Sequence, residues 1–192
     1  MILCSYVGVV ENEDVQLFYY FIRSESNPDD DPLMLWITGG PGCSSISGLS
    51  GSVVRYNGSL PTLILTPYSW TKMENIIFLD IPVGTGFSYA RTKWASRSTD
   101  TLLSDRAHEF MRKWFESHPE YVSSAFYVGR DSYSGIPVPI ITQLISEGNE
   151  AGNVPYINLK SLFQTCHGEY RAEYVGTNSI GCRQNLDLCC PE

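Results

Sequence analysis

Ala125-Phe126-Tyr127-Val128-Gly129-Arg130-Asp131-Ser132-Tyr133-Ser134-Gly135-Ile136-Pro137-Val138-Pro139 passes from an apolar run through a small polar turn into a proline-led segment. Residues 125–129 read as a strand buried on both faces, since such strands lose the alternation of half-buried ones. Residues 135–146 read as a helix whose prolines are confined to the first turn, where a missing N–H costs nothing. The same pattern extends outward. Residues 33–37 and 75–80 are two more continuous apolar runs, and residues 15–21 are rich in strand formers. Asn27-Pro28-Asp29-Asp30-Asp31-Pro32 is a turn. Leu103, Ala107, Phe110, Met111, Trp114 and Phe115 fall on one helical face, which Pro119 closes. Short buried strands alternating with helices predict an α/β fold with a mostly parallel sheet.

A serine on a strand-to-helix turn has two readings. It can cap the helix, as Ser and Gly commonly do. It can also be a nucleophile lifted above the sheet, facing the backbone N–H groups of the following turn. Trp36-Ile37-Thr38-Gly39-Gly40-Pro41-Gly42-Cys43-Ser44-Ser45 weighs for the second. It follows a buried strand, and its glycines let bare amides approach a ligand. In α/β-hydrolases a loop of this kind supplies the second oxyanion donor.

Composition narrows the field. In 192 residues, 13 Lys and Arg stand against 21 Asp and Glu, a net charge of −8, which excludes the basic footprint of a nucleic-acid binder. Apolar residues make up 43% of the chain, so a true core is within reach. No apolar run approaches the roughly 18 residues of a membrane span. The N-terminus lacks the positively charged start of a signal peptide. Four of the six cysteines, Cys166, Cys182, Cys189 and Cys190, crowd the tail, a density that suggests disulfides in an oxidising compartment. Their spacing departs from that of a zinc knuckle, so no metal is expected. Asn57-Gly58-Ser59 is a glycosylation sequon.

The loop at residues 36–45, Tyr68-Ser69-Trp70-Thr71, Phe78-Leu79-Asp80-Ile81-Pro82-Val83-Gly84-Thr85-Gly86-Phe87-Ser88-Tyr89 and Asp131-Ser132-Tyr133-Ser134-Gly135 together resemble the plant serine carboxypeptidase-like family. The resemblance runs from about residue 6 to residue 160. It implies an α/β-hydrolase fold and either release of C-terminal amino acids from peptides or acyl transfer from sugar esters, with no cofactor. Carried over by match, Ser132 is the nucleophile, and the amides of Gly40 and Tyr133 form the oxyanion hole. Thr38, Gly39 and Asp131 fall at substrate-binding positions. Peptidases of the family usually carry Asn and Glu where this chain has Thr38 and Asp131, and that departure leans toward the acyltransferase branch. The family's location is secreted or vacuolar. Its pairing of Cys43 with a distant C-terminal cysteine is expected to be missing here.

Two further departures shape the expectations. Arg130 stands two residues before the nucleophile, where the family has Gly; a bulky residue there is expected to strain or open the turn by roughly 1–3 kcal/mol. The triad's Asp and His are expected after the serine, yet only His167 follows it, with Glu147 and Glu150 as the only carboxylates between. His108 and His118 precede it and read as surface residues. The expected fold is therefore an incomplete α/β-hydrolase over residues 1–160, lacking the C-terminal strands, followed by a Cys-rich remnant of the family's insertion region over residues 161–192. Two functional readings stay open: an enzyme acting on peptides or acyl-glucose esters, and a chain without catalytic activity.

Overall fold

A computed structural model describes residues 2–47, 52–55, 62–65, 69–164 and 175–176. Asn57, Tyr68, His167 and the four tail cysteines lie outside them. The strands are β1 (Ile2–Val9), β2 (Val15–Ile22), β3 (Leu33–Ile37), β4 (Ser52–Arg55), β5 (Thr62–Leu65), β6 (Asn75–Leu79), β7 (Tyr89–Ala90), β8 (Phe126–Arg130), β9 (Leu159–Gln164) and β10 (Val175–Gly176). The helices are α1 (Asp100–Ser117) and α2 (Pro137–Glu150). The main sheet has the order β1-β2-β6-β3-β8-β9-β10, with β7 beside β2; β4 and β5 pair separately. The four strands β6, β3, β8 and β9 run parallel, and β1, β2, β7 and β10 join antiparallel. This is the mixed, mostly parallel sheet that the apolar runs predict.

Both faces of the central strands are covered, which is why their sequences do not alternate. Leu33, Leu35, Ile37, Ile77 and Leu79 point into a cluster with Phe110, Met111 and Trp114 of α1 and Val138 and Ile141 of α2. Met34, Trp36, Ile76 and Phe78 belong to a second cluster on the other face. Thr99 caps α1 by accepting the Leu102 N–H. Pro137 and Pro139 lie in the first turn of α2, as predicted.

The topology places the loops. From β3 the chain passes to β6 on one side, then crosses back over β3 through α1 to β8 on the other, so the chain order switches between β3 and β8. Ligands in such sheets bind beyond the carboxyl ends of the strands at this point. Ile37 is in register with Arg130 at those ends. The loop that follows β3 therefore lies beside the turn that follows β8.

The two early histidines are not surface residues; both are half-buried. His108 is tied to Arg112 one turn on: its Nε2 accepts from Arg112 Nε at 3.1 Å, and Arg112 Nη1 in turn donates to the Pro155 carbonyl after α2 at 2.6 Å. His118 stacks on Trp114 with ring centroids 4.2 Å apart. Arg112, on the polar side of α1, is thus covered by α2 and the segment after it, which a single helix's periodicity does not reveal.

Candidate active site

Ser132 is an exposed residue with φ 54°, in the left-handed region that a side chain occupies only when its surroundings demand it. It opens a 3-10 turn, Ser132–Gly135, leading into α2. The turn is held by Ser134, whose hydroxyl accepts the Asp131 N–H at 2.8 Å. The same oxygen lies 2.8 Å from the Ile37 carbonyl and 2.7 Å from the Asp131 carbonyl. One buried hydroxyl therefore joins the elbow to the end of β3.

The loop after β3 closes on the elbow from the other side. A Cβ on Gly39 would lie 2.7 Å from the Asp131 carbonyl oxygen and the Tyr133 nitrogen, and 2.8 Å from Ser132 Cβ. Only glycine permits this approach. Gly40, next along, has φ 127° and is exposed. The structure thus brings Gly39, Asp131, Ser132 and Tyr133 together, with Gly40 adjoining them. Thr38 is half-buried, and its hydroxyl accepts the Trp36 indole N–H at 3.0 Å. Tyr133 donates its hydroxyl to Asp100 at the start of α1, and this bond first, with some desolvation, raises the phenol's pKa above its usual 10.0. A groove of about 290 Å³ runs alongside, lined by Pro41, Pro82, Thr99, Asp100, Leu103 and Tyr133.

Arg130 does not open the turn. Its side chain is buried, and Nη1 donates to the Gly135 carbonyl at 2.8 Å, spanning the elbow as a strut. The guanidinium occupies the side where Gly135 lacks a side chain; a Cβ there would come within 2.8 Å of Nη1. The size that suggested strain is accommodated by the glycine five residues on.

Neither His108 nor His118 belongs to this cluster. Cys43 is exposed with a free thiol, as is Cys4.

One residue of weight was quoted in the sequence only as part of a motif. Asp80, fully buried after β6, accepts from Ser44 Oγ at 2.6 Å, from the Ser45 N–H at 2.9 Å and from the Phe87 N–H at 3.2 Å. Its acidic character inside an apolar run was the available signal, because a buried carboxylate requires donors. The two serine donors lie thirty-five and thirty-six positions away, so no local pattern shows them.

A mostly parallel sheet with its serine elbow at the switch point, faced by a glycine loop from the neighbouring strand, defines an α/β-hydrolase. The model of the serine carboxypeptidase family matches residues 3–164, and the chain belongs to that family. Serine carboxypeptidase-like 7 of Arabidopsis thaliana is 54% identical over 163 residues, covering 81% of this chain and 37% of that relative. Serine carboxypeptidase-like 15 of the same plant is 56% identical with the same coverage. The chain spans little more than a third of the length of these relatives. Among solved structures, a prohormone-processing carboxypeptidase from Saccharomyces cerevisiae superposes with a TM-score of 0.69 at 23% identity, covering 85% of this chain and 38% of that one. A putative hydrolase from Agrobacterium vitis superposes at 0.52 and 12% identity, covering 85% and 52%. Both are likenesses of fold.

Proposed function

We propose that this chain carries the nucleophile and oxyanion donors of a serine carboxypeptidase reaction, the release of a C-terminal residue from a peptide. Ser132 Oγ attacks the carbonyl carbon, the Oγ–acyl bond forms, and the C–N bond breaks as the hydroxyl proton passes through a base to the leaving amine. The oxyanion takes hydrogen bonds from the N–H groups of Gly40 and Tyr133. Thr38 and Asp131 face the substrate's carboxylate end, and the groove beside Tyr133 receives the rest of the peptide. The base is not among the described residues; His108 and His118 are committed elsewhere in the fold. One observation carries the reading. Ser132 is held at positive φ with Gly39 packed against it, an arrangement that ordinary helix capping does not need.

A fluorophosphonate probe tests it directly. Labelling of the wild-type chain that disappears in Ser132→Ala is the expected result. Absence of labelling on folded protein overturns the reading in favour of a non-catalytic chain. Given labelling, release of the terminal residue from a blocked dipeptide supports the peptidase, and acyl transfer from a glucose ester without such release replaces it with the transferase.

A further inference from the structure

We propose that Asp80 is a positioning residue for the oxyanion loop, an inference resting on the reading of Gly40 as an oxyanion donor. The loop of residues 38–45 has two ends to fix. Its first end continues β3 and is wedged against the elbow through Gly39. Its second end is fixed by Asp80: Ser44 Oγ and the Ser45 N–H both donate to Oδ1. Ser45 Oγ adds a bond to the Leu79 carbonyl at 2.5 Å. Gly40 lies between these two anchors, so its amide direction follows from both.

The carboxylate is itself fixed from the opposite side. The Phe87 N–H donates to Oδ2, and Gly86 packs so closely on the carboxylate that a Cβ there would overlap Oδ2. The Asp80 carbonyl accepts from Ser88 Oγ at 2.6 Å, and that hydroxyl accepts the Phe18 N–H at 2.8 Å from β2. Asp80 thus transmits the rigidity of β2 and β6 to the loop beside Ser132. A group that only satisfied the end of β6 would have no need of donors from residues 44 and 45.

The test is hydrogen–deuterium exchange on the 192-residue chain and its Asp80→Asn and Ser44→Ala variants, read with the two-step kinetics of fluorophosphonate labelling. Asn keeps a carbonyl oxygen for Ser45 but turns an NH2 toward the Phe87 N–H. Asp80→Asn is expected to raise exchange at amides 40–47 by roughly tenfold, with β3 and β8 unchanged. The labelling rate constant kinact should fall by roughly tenfold while KI holds, as for a loss confined to the transition state. Ser44→Ala should give a smaller rise in the same segment. Unchanged exchange at 40–47, or an equal rise in β3 and β8, overturns the proposal. Should Asp80→Asn fail to fold, Ser44→Ala decides alone: a rise confined to 40–47 supports positioning, and an unchanged profile rejects it. If the wild-type chain is not labelled, the nucleophile reading fails, while the exchange profile still decides whether Asp80 sets the loop.

Discussion

Tyr133 donates its phenolic O–H to Asp100 in a 2.9 Å hydrogen bond, so the residue that follows Ser132 is tethered to the first turn of α1. The backbone amide of Tyr133 is one of the two proposed oxyanion donors. A side chain reaching thirty-three positions back along the chain therefore steadies an amide at the site. Tyr133→Phe keeps the ring and removes the tether. The expected result is slower fluorophosphonate labelling of Ser132 with little change in thermal unfolding, checked by labelling time courses beside a melting curve.

Gly39→Ala places a methyl group against three elbow atoms, two of them backbone. Backbone cannot rotate away as a flexible side chain can. The variant should lose about 1–3 kcal/mol of stability, the usual cost of overpacking. Labelling of Ser132 should vanish with it. Urea unfolding measures the first effect and the probe measures the second.

Arg130→Gly puts in the small residue that the resemblance led one to expect there and removes the strut to Gly135. Were the arginine a source of strain, the variant would be more stable. The buried, charge-assisted bond predicts the opposite, a loss of about 2 kcal/mol. Urea unfolding of the two proteins gives the sign.

His108 gives a pH prediction. Burial first, then the positive charge of Arg112, lowers its pKa below the usual 6.5, against smaller opposing effects of Asp105 and Glu109. The unfolded chain therefore binds a proton that the folded chain resists as pH falls below about 6.5. The stability tied to neutral His108 is complete above that pH and is lost as the pH drops through the folded pKa. His108→Gln can still accept from Arg112 and does not titrate. The stability difference between wild type and His108→Gln should shift against the wild type between pH 7 and pH 5, measured by urea unfolding across that range.

Much of the fold was legible because burial writes itself into composition. Residues 33–37 are apolar throughout and residues 75–80 at every position but the ends, and they form β3 and β6 almost residue for residue. The helix face from Leu103 to Phe115 packs inward along α1. β9 was less legible: Lys160 and Ser161 interrupt its apolar pattern, and its place is set by pairing with β8. At the site, the turn at Ser132 and the close approach of Gly39 were readable as local geometry, because both leave few residue types to choose from, while the roles proposed for Ser132 and Tyr133 came from the motif's resemblance. Asp80 and the strut of Arg130 were not readable as such. Their roles depend on partners that only the folded chain brings near: for Asp80 thirty-five and thirty-six positions away, for Arg130 the absent side chain of Gly135.

The pairing of Ile37 with Arg130 carries a consequence for how such a chain tolerates change. Segments joining the strands can lengthen or shrink at modest entropic cost. One residue gained inside β3 or β8 is different, since side chains alternate between the two faces of a sheet. Such an insertion would turn the Ser132 hydroxyl toward the helices, or carry the glycine hinge away from it, while leaving the hydrophobic content intact. Spacing within two five-residue strands is thus the narrow gauge on which the meeting of Gly39 and Ser132 runs.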